Sequence, residues 1–255
     1  MALYLAGLGI NPPGSISQDA IKAARQCEFV YLEQYTNHLA PDLKKQLEEL
    51  FGKRISLVDR ETVEDESLLI AGAQSSDCCL LISGDPLVAT THINLLISAK
   101  KYRVRCVIVH SSSVLSAAAS ESGLQAYKFG QTTTIPHFRE NYRPSSPLDV
   151  ILSNQTLGLH TICLLDIDKE LGPLSPQQAC ASLLDMQSAQ GSKMDKDAKI
   201  VVLSRLGFSD QMVIYSTIGK IIDGKEGELK TPACLIVPGK LHFVEEEFLA
   251  THEKG

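Results

Sequence analysis

The sequence predicts an α/β protein with two domains, residues 1–110 and 113–255, and a parallel, doubly wound sheet in the first. Three observations predict this fold. Short apolar runs alternate with amphipathic segments over the first domain, small-residue turns follow the first and fourth runs, and the pattern changes after His110-Ser-Ser-Ser113. Since clefts between domains often bind ligands, we expect a ligand-binding cleft between the two.

The first domain contains five apolar runs of strand length and four intervening helical patterns. In the first helix Ile21, Ala24 and Cys27 are spaced for one face, and the second helix stops at Gly52, a residue type that commonly ends helices. The predicted strands are Leu3–Ala6, Phe29–Leu32, Ile55–Val58, Cys78–Ile82 and Val104–Val109, and the predicted helices are Ser17–Cys27, Pro41–Phe51, Val63–Ala73 and Thr91–Lys100.

The second domain is also predicted to be α/β, beginning with a helix of small residues. Its longest helix has Ser175 as N-cap, Pro176 in the first turn and Gln178 at the capping-box position. The segment 138–147 has two prolines and is predicted to be a loop. The predicted helices are Val114–Ser122, Leu148–Leu157, Ser175–Gln190 and Val244–Thr251, and the strands are Thr132–Ile135, His160–Leu165, Lys199–Leu203, Met212–Ser216 and Ala233–Val237.

Composition and charge exclude several classes of protein. The net charge of −6 and the lack of any Lys/Arg run longer than two residues argue against nucleic-acid binding, which needs clustered cations. No apolar window approaches the ~20 residues that span a bilayer, and the first residues carry no signal-peptide pattern. We therefore expect a cytoplasmic protein that binds neither nucleic acid nor membrane.

The seven cysteines do not indicate a metal site or a disulfide framework. Five stand alone in apolar segments, no C-x-x-C is present, and the number is odd. Cys78 and Cys79 are adjacent on a predicted strand, so their side chains should point to opposite faces. The cysteines are therefore interpreted as reduced, small hydrophobic residues.

The first glycine turn is Gly7-Leu-Gly9-Ile-Asn-Pro-Pro-Gly14. A dinucleotide site needs G-x-G-x-x-G directly before a helix, with an acidic residue some 20 positions further on. Here the third glycine comes two positions late, although Glu33 ends the second strand as a ribose-binding acid would. A tight turn that lets a ligand approach the backbone is the favoured interpretation, and a dinucleotide site is the alternative.

The run Ser83-Gly-Asp-Pro-Leu-Val-Ala-Thr-Thr-His92 follows the fourth strand. By itself Asp85 in Gly-Asp-Pro is a common turn former. This run, Tyr127-Lys-Phe-Gly130 and Gly7-Leu-Gly9 together resemble the tetrapyrrole-methylase family of S-adenosylmethionine-dependent methyltransferases, over nearly the whole chain.

The resemblance implies two α/β domains with the cofactor in the cleft between them. It implies S-adenosylmethionine as cofactor, with S-adenosylhomocysteine as its product, and assigns neither a catalytic residue nor a metal. A carboxylate such as Asp85 near the cationic sulfonium is physically reasonable. The implied cofactor-binding residues are Ile10, Asp85, Val88, Ser113, Val114, Leu165, Leu206 and Ala233.

Within the family, the runs most resemble members that methylate the amine of a modified histidine on translation elongation factor 2, in diphthamide biosynthesis. The chain lacks the long insertion that eukaryotic members carry near Asp166–Gly172, which implies trimethylation without an additional methyl ester. The resemblance also implies a homodimer. The alternatives are methylation of a corrin or sirohaem precursor, a nucleotide-binding oxidoreductase, and a non-catalytic binding module.

Other candidates are placed on the substrate side. We expect 138–147 to border the path of the protein substrate, and Tyr127 and Lys128 to lie near it. His242 belongs to a run expected in the far wall of the substrate cleft, and His160 is expected to be structural. His92 is expected at a helix start, with proton handling as its alternative role.

Overall fold

The computed structural model describes residues 1–36, 40–190 and 194–253. The chain divides into two compact units, residues 1–114 and 115–255. In the described residues no helix is both long enough and apolar enough to traverse a lipid bilayer.

The first unit is built on a five-stranded sheet in the order β3-β2-β4-β1-β5, with every neighbouring pair parallel. Parallel pairing follows from the alternation of strands and helices, because each crossover helix returns the chain to the same end of the sheet. The elements are β1 (Ala2–Gly7), α1 (Gln18–Gln26), β2 (Phe29–Glu33), α2 (Leu43–Phe51), β3 (Ser56–Val58), α3 (Arg60–Asp65), α4 (Ser67–Ser75), β4 (Cys78–Ile82), α5 (Ile93–Lys101) and β5 (Arg105–Val109).

Helices cover both faces of this sheet, as the doubly wound prediction requires. Leu3 and Leu80 pack on the face covered by α3, α4 and α5, whereas Ala6 and Leu81 pack on the face covered by α1 and α2. The alternation of side chains along a strand produces the two layers. The seven cysteines are free thiols, six of them buried, and Cys78 and Cys79 lie in opposite layers.

Local capping residues set the helix ends. Ser17 caps α1 by accepting a hydrogen bond from the Ala20 N–H at 3.1 Å, and α2 ends at Gly52 with a φ of +69°. The prediction of one helix over Val63–Ala73 is wrong. The chain forms α3 and α4 instead, separated by Glu66 with a φ of +62°, and α3 begins early because Asp59 caps it.

The second unit contains a mixed five-stranded sheet in the order β11-β10-β12-β7-β6. Only the edge pair β6 and β7 is parallel, and the other pairs are antiparallel. The elements are α6 (Val114–Glu121), which starts at the division, β6 (Thr133–Ile135), α7 (Ser146–Thr156), β7 (Thr161–Leu165), β8 (Ile167–Asp168), β9 (Gly172–Pro173), α8 (Pro176–Gln190), β10 (Lys199–Ser204), β11 (Met212–Thr217), α9 (Ile218–Ile222), β12 (Ala233–Val237) and α10 (Phe243–Ala250).

The core of the second unit lies between this sheet and α7, α8 and α9. At the start of α8 the Ser175 N–H donates to the Gln178 side chain at 2.9 Å, and the Gln178 N–H donates to the Ser175 Oγ at 3.2 Å. These are the reciprocal bonds of the predicted capping box. Sequence analysis missed α9 and the small ribbon of β8 and β9, because both are too short to show a periodicity.

Candidate active site

The turns after β1 and β4 are joined to each other at the carboxyl edge of the first sheet. The Gly9 N–H donates to the Gly84 carbonyl oxygen at 3.2 Å, and the Gly84 N–H donates to the Gly9 carbonyl oxygen at 3.0 Å. Both residues have a positive φ, +76° and +71°, which other residues rarely adopt. Open α/β sheets bind their ligands at this edge, so the predicted glycine turns lie where a cofactor would.

Asp85 links this pair of turns to the segment after β5. Its carboxylate accepts hydrogen bonds from the Leu87 N–H at 3.1 Å, the Ser111 N–H at 3.2 Å and the His110 Nδ1 at 2.8 Å. Burial alone would raise the pKa of Asp85, but these three donors more than offset it and hold the pKa below its usual value. The buried, ionised side chain therefore connects the loop after β4 to the loop after β5 by hydrogen bonds.

The other predicted cofactor residues of the first unit lie in these loops or, for Val114, at the start of α6. The Ile10 N–H donates to the Ser112 Oγ at 3.2 Å, and the Val88 N–H donates to the Asp85 carbonyl oxygen at 3.3 Å. The structure brings five predicted residues to this one edge: Ile10, Asp85, Val88, Ser113 and Val114.

Two features beside these loops suit a ligand. The Ser83 hydroxyl oxygen is buried and has no hydrogen-bond partner in the described part of the chain. At Gly84, a Cβ would meet nothing nearer than the Ser112 carbonyl oxygen at 4.0 Å, apart from its chain neighbours. A buried hydroxyl without a partner is uncommon in folded proteins and is satisfied when a polar ligand group reaches it.

The three predicted cofactor residues of the second unit also share one edge of their own sheet. Leu165 is the last residue of β7, and Ala233, the first of β12, pairs with Ser204 at the end of β10. Leu206 follows β10 by two residues, beside the bond from the Arg205 N–H to the Pro232 carbonyl oxygen at 2.8 Å. The antiparallel register of β12 places all three at this edge, although the sequence alone would assign them to a core.

His92 and Glu33 are structural neighbours inside the first unit. The His92 Nδ1 donates to the Pro86 carbonyl oxygen at 3.0 Å, while its Nε2 lies 3.0 Å from the Tyr35 hydroxyl and 3.1 Å from a Glu33 carboxylate oxygen. Both side chains are almost fully buried. His92 thereby stabilises the turn after β4 through its hydrogen bond to Pro86, and the Glu33 side chain is buried next to the His92 ring.

Lys128 and His160 are held by a buried carboxylate of α10. Glu245 forms an ion pair with Lys128 and accepts hydrogen bonds from the His160 Nε2 at 3.2 Å, the Gln125 N–H at 2.9 Å and the His242 N–H at 2.7 Å. Burial opposes ionisation, but these donors lower the pKa of Glu245 to about 2. His160 is structural, as expected, and His242 caps α10.

Tyr127 differs from the rest of its run. It is 81% exposed, whereas the Phe129 ring lies edge-on to His160 at 5.3 Å between centroids. A Cβ at Gly130 would lie 2.2 Å from the Asn154 Oδ1, so a larger residue there would have to displace the buried Asn154 side chain. Tyr127 therefore projects into solvent from a run whose next aromatic residue, Phe129, packs against His160.

Of the predicted loop 138–147, residues 138–145 form a loop, and residues 146 and 147 belong to the first turn of α7 instead. The loop is closed by two 3.1 Å backbone hydrogen bonds between Arg139 and Tyr142. Arg139 also forms an ion pair with Asp168 of β8. A cavity of about 270 Å³ lies at the base of the loop, lined by Thr134, Pro136, Tyr142, Pro144, Ser146, Pro147 and Asp166. That this segment borders the path of the substrate stays a prediction.

Sequence reasoning did not single out His110, although it stands directly after β5 and three residues before the predicted cofactor residue Ser113. Its hydrogen bond to Asp85 joins residues on two separate loops. A histidine at the carboxyl end of a strand was the available signal. Within residues 1–36, 40–190 and 194–253, no group of His, Cys, Asp and Glu side chains has the geometry of a metal site.

An α/β chain with glycine turns joined at the carboxyl edge of a parallel sheet suits a methylase that binds its cofactor at that edge. The family model described as Tetrapyrrole (Corrin/Porphyrin) Methylases matches residues 2–222. The prediction of a tetrapyrrole-methylase-type α/β fold is thereby confirmed.

Relatives narrow this assignment. The chain is 38% identical to the diphthine synthase of Methanocaldococcus jannaschii, over 97% of both chains. It is 36% identical to the diphthine methyl ester synthase of Saccharomyces cerevisiae, over 97% of this chain and 88% of the yeast one. A crystal structure of a diphthine synthase matches with a TM-score of 0.88 at 30% identity, over 99% of this chain and 96% of the other. The chain therefore belongs to the tetrapyrrole methylase family, in its diphthine synthase group, and is a methyltransferase.

Proposed function

We propose that this protein transfers methyl groups from S-adenosylmethionine to the amine of the 3-amino-3-carboxypropyl-modified histidine of translation elongation factor 2. Three transfers give diphthine, and each releases S-adenosylhomocysteine. The main support is the 38% identity, over 97% of both chains, to a diphthine synthase. On the resemblance alone, we further propose that the protein is a homodimer in the cytoplasm.

The residues of the first unit suit the cofactor. Ile10 and Val88 offer half-buried apolar surface, and the orphaned Ser83 hydroxyl offers a polar group. The open backbone at Gly84 admits a close approach. We propose that Ile10, Asp85, Val88, Ser113 and Val114 contribute to binding, Asp85 by fixing the loops. In the second unit, Leu165, Leu206 and Ala233 keep their proposed cofactor role.

Methyl transfer requires mainly that the protein position the cofactor and the substrate amine correctly. When bound, the cofactor supplies an electrophilic methyl group. The protein must hold the amine in line with that methyl group, keep the nitrogen lone pair unprotonated and exclude water. Successive methylations also require space around the nitrogen for three methyl groups. Loops that hold the two reactants in place at a sheet edge meet these requirements without a dedicated nucleophile.

Radiolabelled methyl transfer tests the proposal directly. We expect the protein to label elongation factor 2 that carries the 3-amino-3-carboxypropyl group and to leave a precorrin acceptor unlabelled. Unmodified elongation factor 2 is the matched control and should stay unlabelled. Labelling of the precorrin instead would favour the corrin or sirohaem alternative. Mass spectrometry would show whether the product carries three methyl groups or a fourth, as a methyl ester.

Replacing Asp85 by alanine should weaken binding of S-adenosylhomocysteine at least about tenfold, or about 1.4 kcal/mol. The variant loses the acceptor for three donors on two loops, so the loops that carry the proposed cofactor residues separate. Titration calorimetry measures the affinity, with the exposed Asp197→Ala as control. Unchanged affinity in Asp85→Ala would remove this residue from the proposed site.

A further inference from the structure

His110 combines an exposed imidazole with a buried carboxylate partner. It follows β5 directly, and its side chain is 70% exposed, whereas that of Asp85 is 8% exposed. The Nδ1 lies 2.8 Å from the Asp85 Oδ2. Because the Asp85 pKa lies below its usual range, the carboxylate accepts and Nδ1 carries the proton.

This bond determines the role of the other ring nitrogen. With Nδ1 protonated, the neutral imidazole has its lone pair on Nε2. In the described part of the chain Nε2 makes no hydrogen bond, and most of the side chain is in solvent. An oriented imidazole with a free acceptor nitrogen, backed by a carboxylate, is the arrangement that general bases use.

The proposed reaction needs such an acceptor. An aliphatic amine such as that of lysine has a pKa of about 10, so near neutral pH it is mostly an ammonium without a lone pair. Each methylated amine must also lose a proton before it can attack again. We propose that His110 accepts these protons from the substrate amine, which makes it a catalytic residue of the reaction proposed above, on which this inference rests.

The proton transfer balances within these groups. The N–H bond of the substrate ammonium breaks and leaves its electron pair on nitrogen. The proton forms a bond to Nε2, and the Asp85 carboxylate stabilises the resulting imidazolium. Because the ring is exposed, water then removes the proton and restores the neutral imidazole. His110 thus acts before each of the three transfers.

The electrostatic surroundings of His110 are simple. From the turn after β4, Asp85 faces the ring. From the turn after β1, the neighbouring residues are the uncharged Gly7 and Gly9, which approach Ser111 and Ser112. His92 points away, toward the Pro86 carbonyl oxygen and Glu33. The carboxylate of Asp85 is therefore the charged group that faces the His110 ring.

His110→Asn separates catalysis from structure. The asparagine amide still donates to Asp85 but has no basic nitrogen. We expect S-adenosylhomocysteine affinity and the midpoint of urea unfolding to stay as in the wild type. Methylation of the precursor-bearing elongation factor should fall about a hundredfold near pH 7, the range of general-base effects. The deficit should shrink as the pH rises toward about 10, where a large part of the amine is already neutral.

The outcomes are distinct. Equal rates and pH profiles in His110→Asn and wild type would overturn the inference, while the proposed function would stand on the wild-type activity. A loss of S-adenosylhomocysteine affinity in His110→Asn would also overturn the inference. His110 would then act by holding Asp85 and the two loops in place. Wild-type protein that methylates no elongation factor would refute the proposed function, and this inference with it.

Discussion

Replacing Gly7 by alanine should destabilise the first unit by about 1–3 kcal/mol or more, the range for overpacked cores. A Cβ there would lie 2.5 Å from the Gly84 carbonyl oxygen and 2.7 Å from the Ser111 Cβ. These atoms belong to the turns after β4 and β5, so relief requires the backbone of two loops to move. We also expect S-adenosylhomocysteine affinity to fall more than about tenfold, because the displaced loops carry the proposed cofactor residues.

Urea unfolding measures the stability of Gly7→Ala, and calorimetry measures its affinity for S-adenosylhomocysteine. Gly14→Ala is the matched control, since a Cβ at Gly14 would meet the Asn11 carbonyl oxygen at an ordinary 3.5 Å. The control should behave as the wild type does. A Gly7→Ala protein with normal stability and affinity would show that the three turns are not packed as described.

Glu245→Gln should cost the second unit about 3 kcal/mol of stability at neutral pH. The lowered pKa, from 4.5 to about 2, corresponds to that free energy. Glutamine keeps one acceptor oxygen but removes the charge beside Lys128, whose side chain is 20% exposed. Truncating one partner of a buried ion pair leaves the other charge uncompensated.

The same variant should change the pH dependence of unfolding. Because ionised Glu245 is favoured in the folded state, its contribution is complete above the unfolded pKa of about 4.5 and disappears as the pH falls toward 2. The wild type should lose stability through this range, whereas Glu245→Gln should lose less. Urea unfolding across that range tests this, with the exposed Glu247→Gln as control. Identical pH slopes for Glu245→Gln and wild type would contradict the assignment.

Sequence patterns predicted the elements of the first unit well. Cys78–Ile82 was predicted to the residue, and the other strands differ by a single residue at one or both ends. These predictions depend on periodicity and capping within short windows. The break at Glu66 escaped them, because neither glycine nor proline marks it and a non-glycine residue takes the positive φ.

The candidate site was predicted less completely. The glycine turns after β1 and β4 can be predicted from the sequence, since the glycines stand at the ends of apolar runs. The resemblance identified Asp85, but the sequence gives no sign that its carboxylate faces three internal donors. Leu165, Leu206 and Ala233 looked like core residues until the order of the second sheet placed them at one edge.

By itself the sequence determined most helices and strands, the parallel sheet of the first unit and the positions of its glycine turns. All of these depend on residues close together in the chain. Only the tertiary structure decided which distant residues meet, such as Asp85 with His110 and Lys128 with Glu245. The reason is physical: a hydrogen bond or ion pair across loops depends on strand order and register, which no local pattern of side chains encodes.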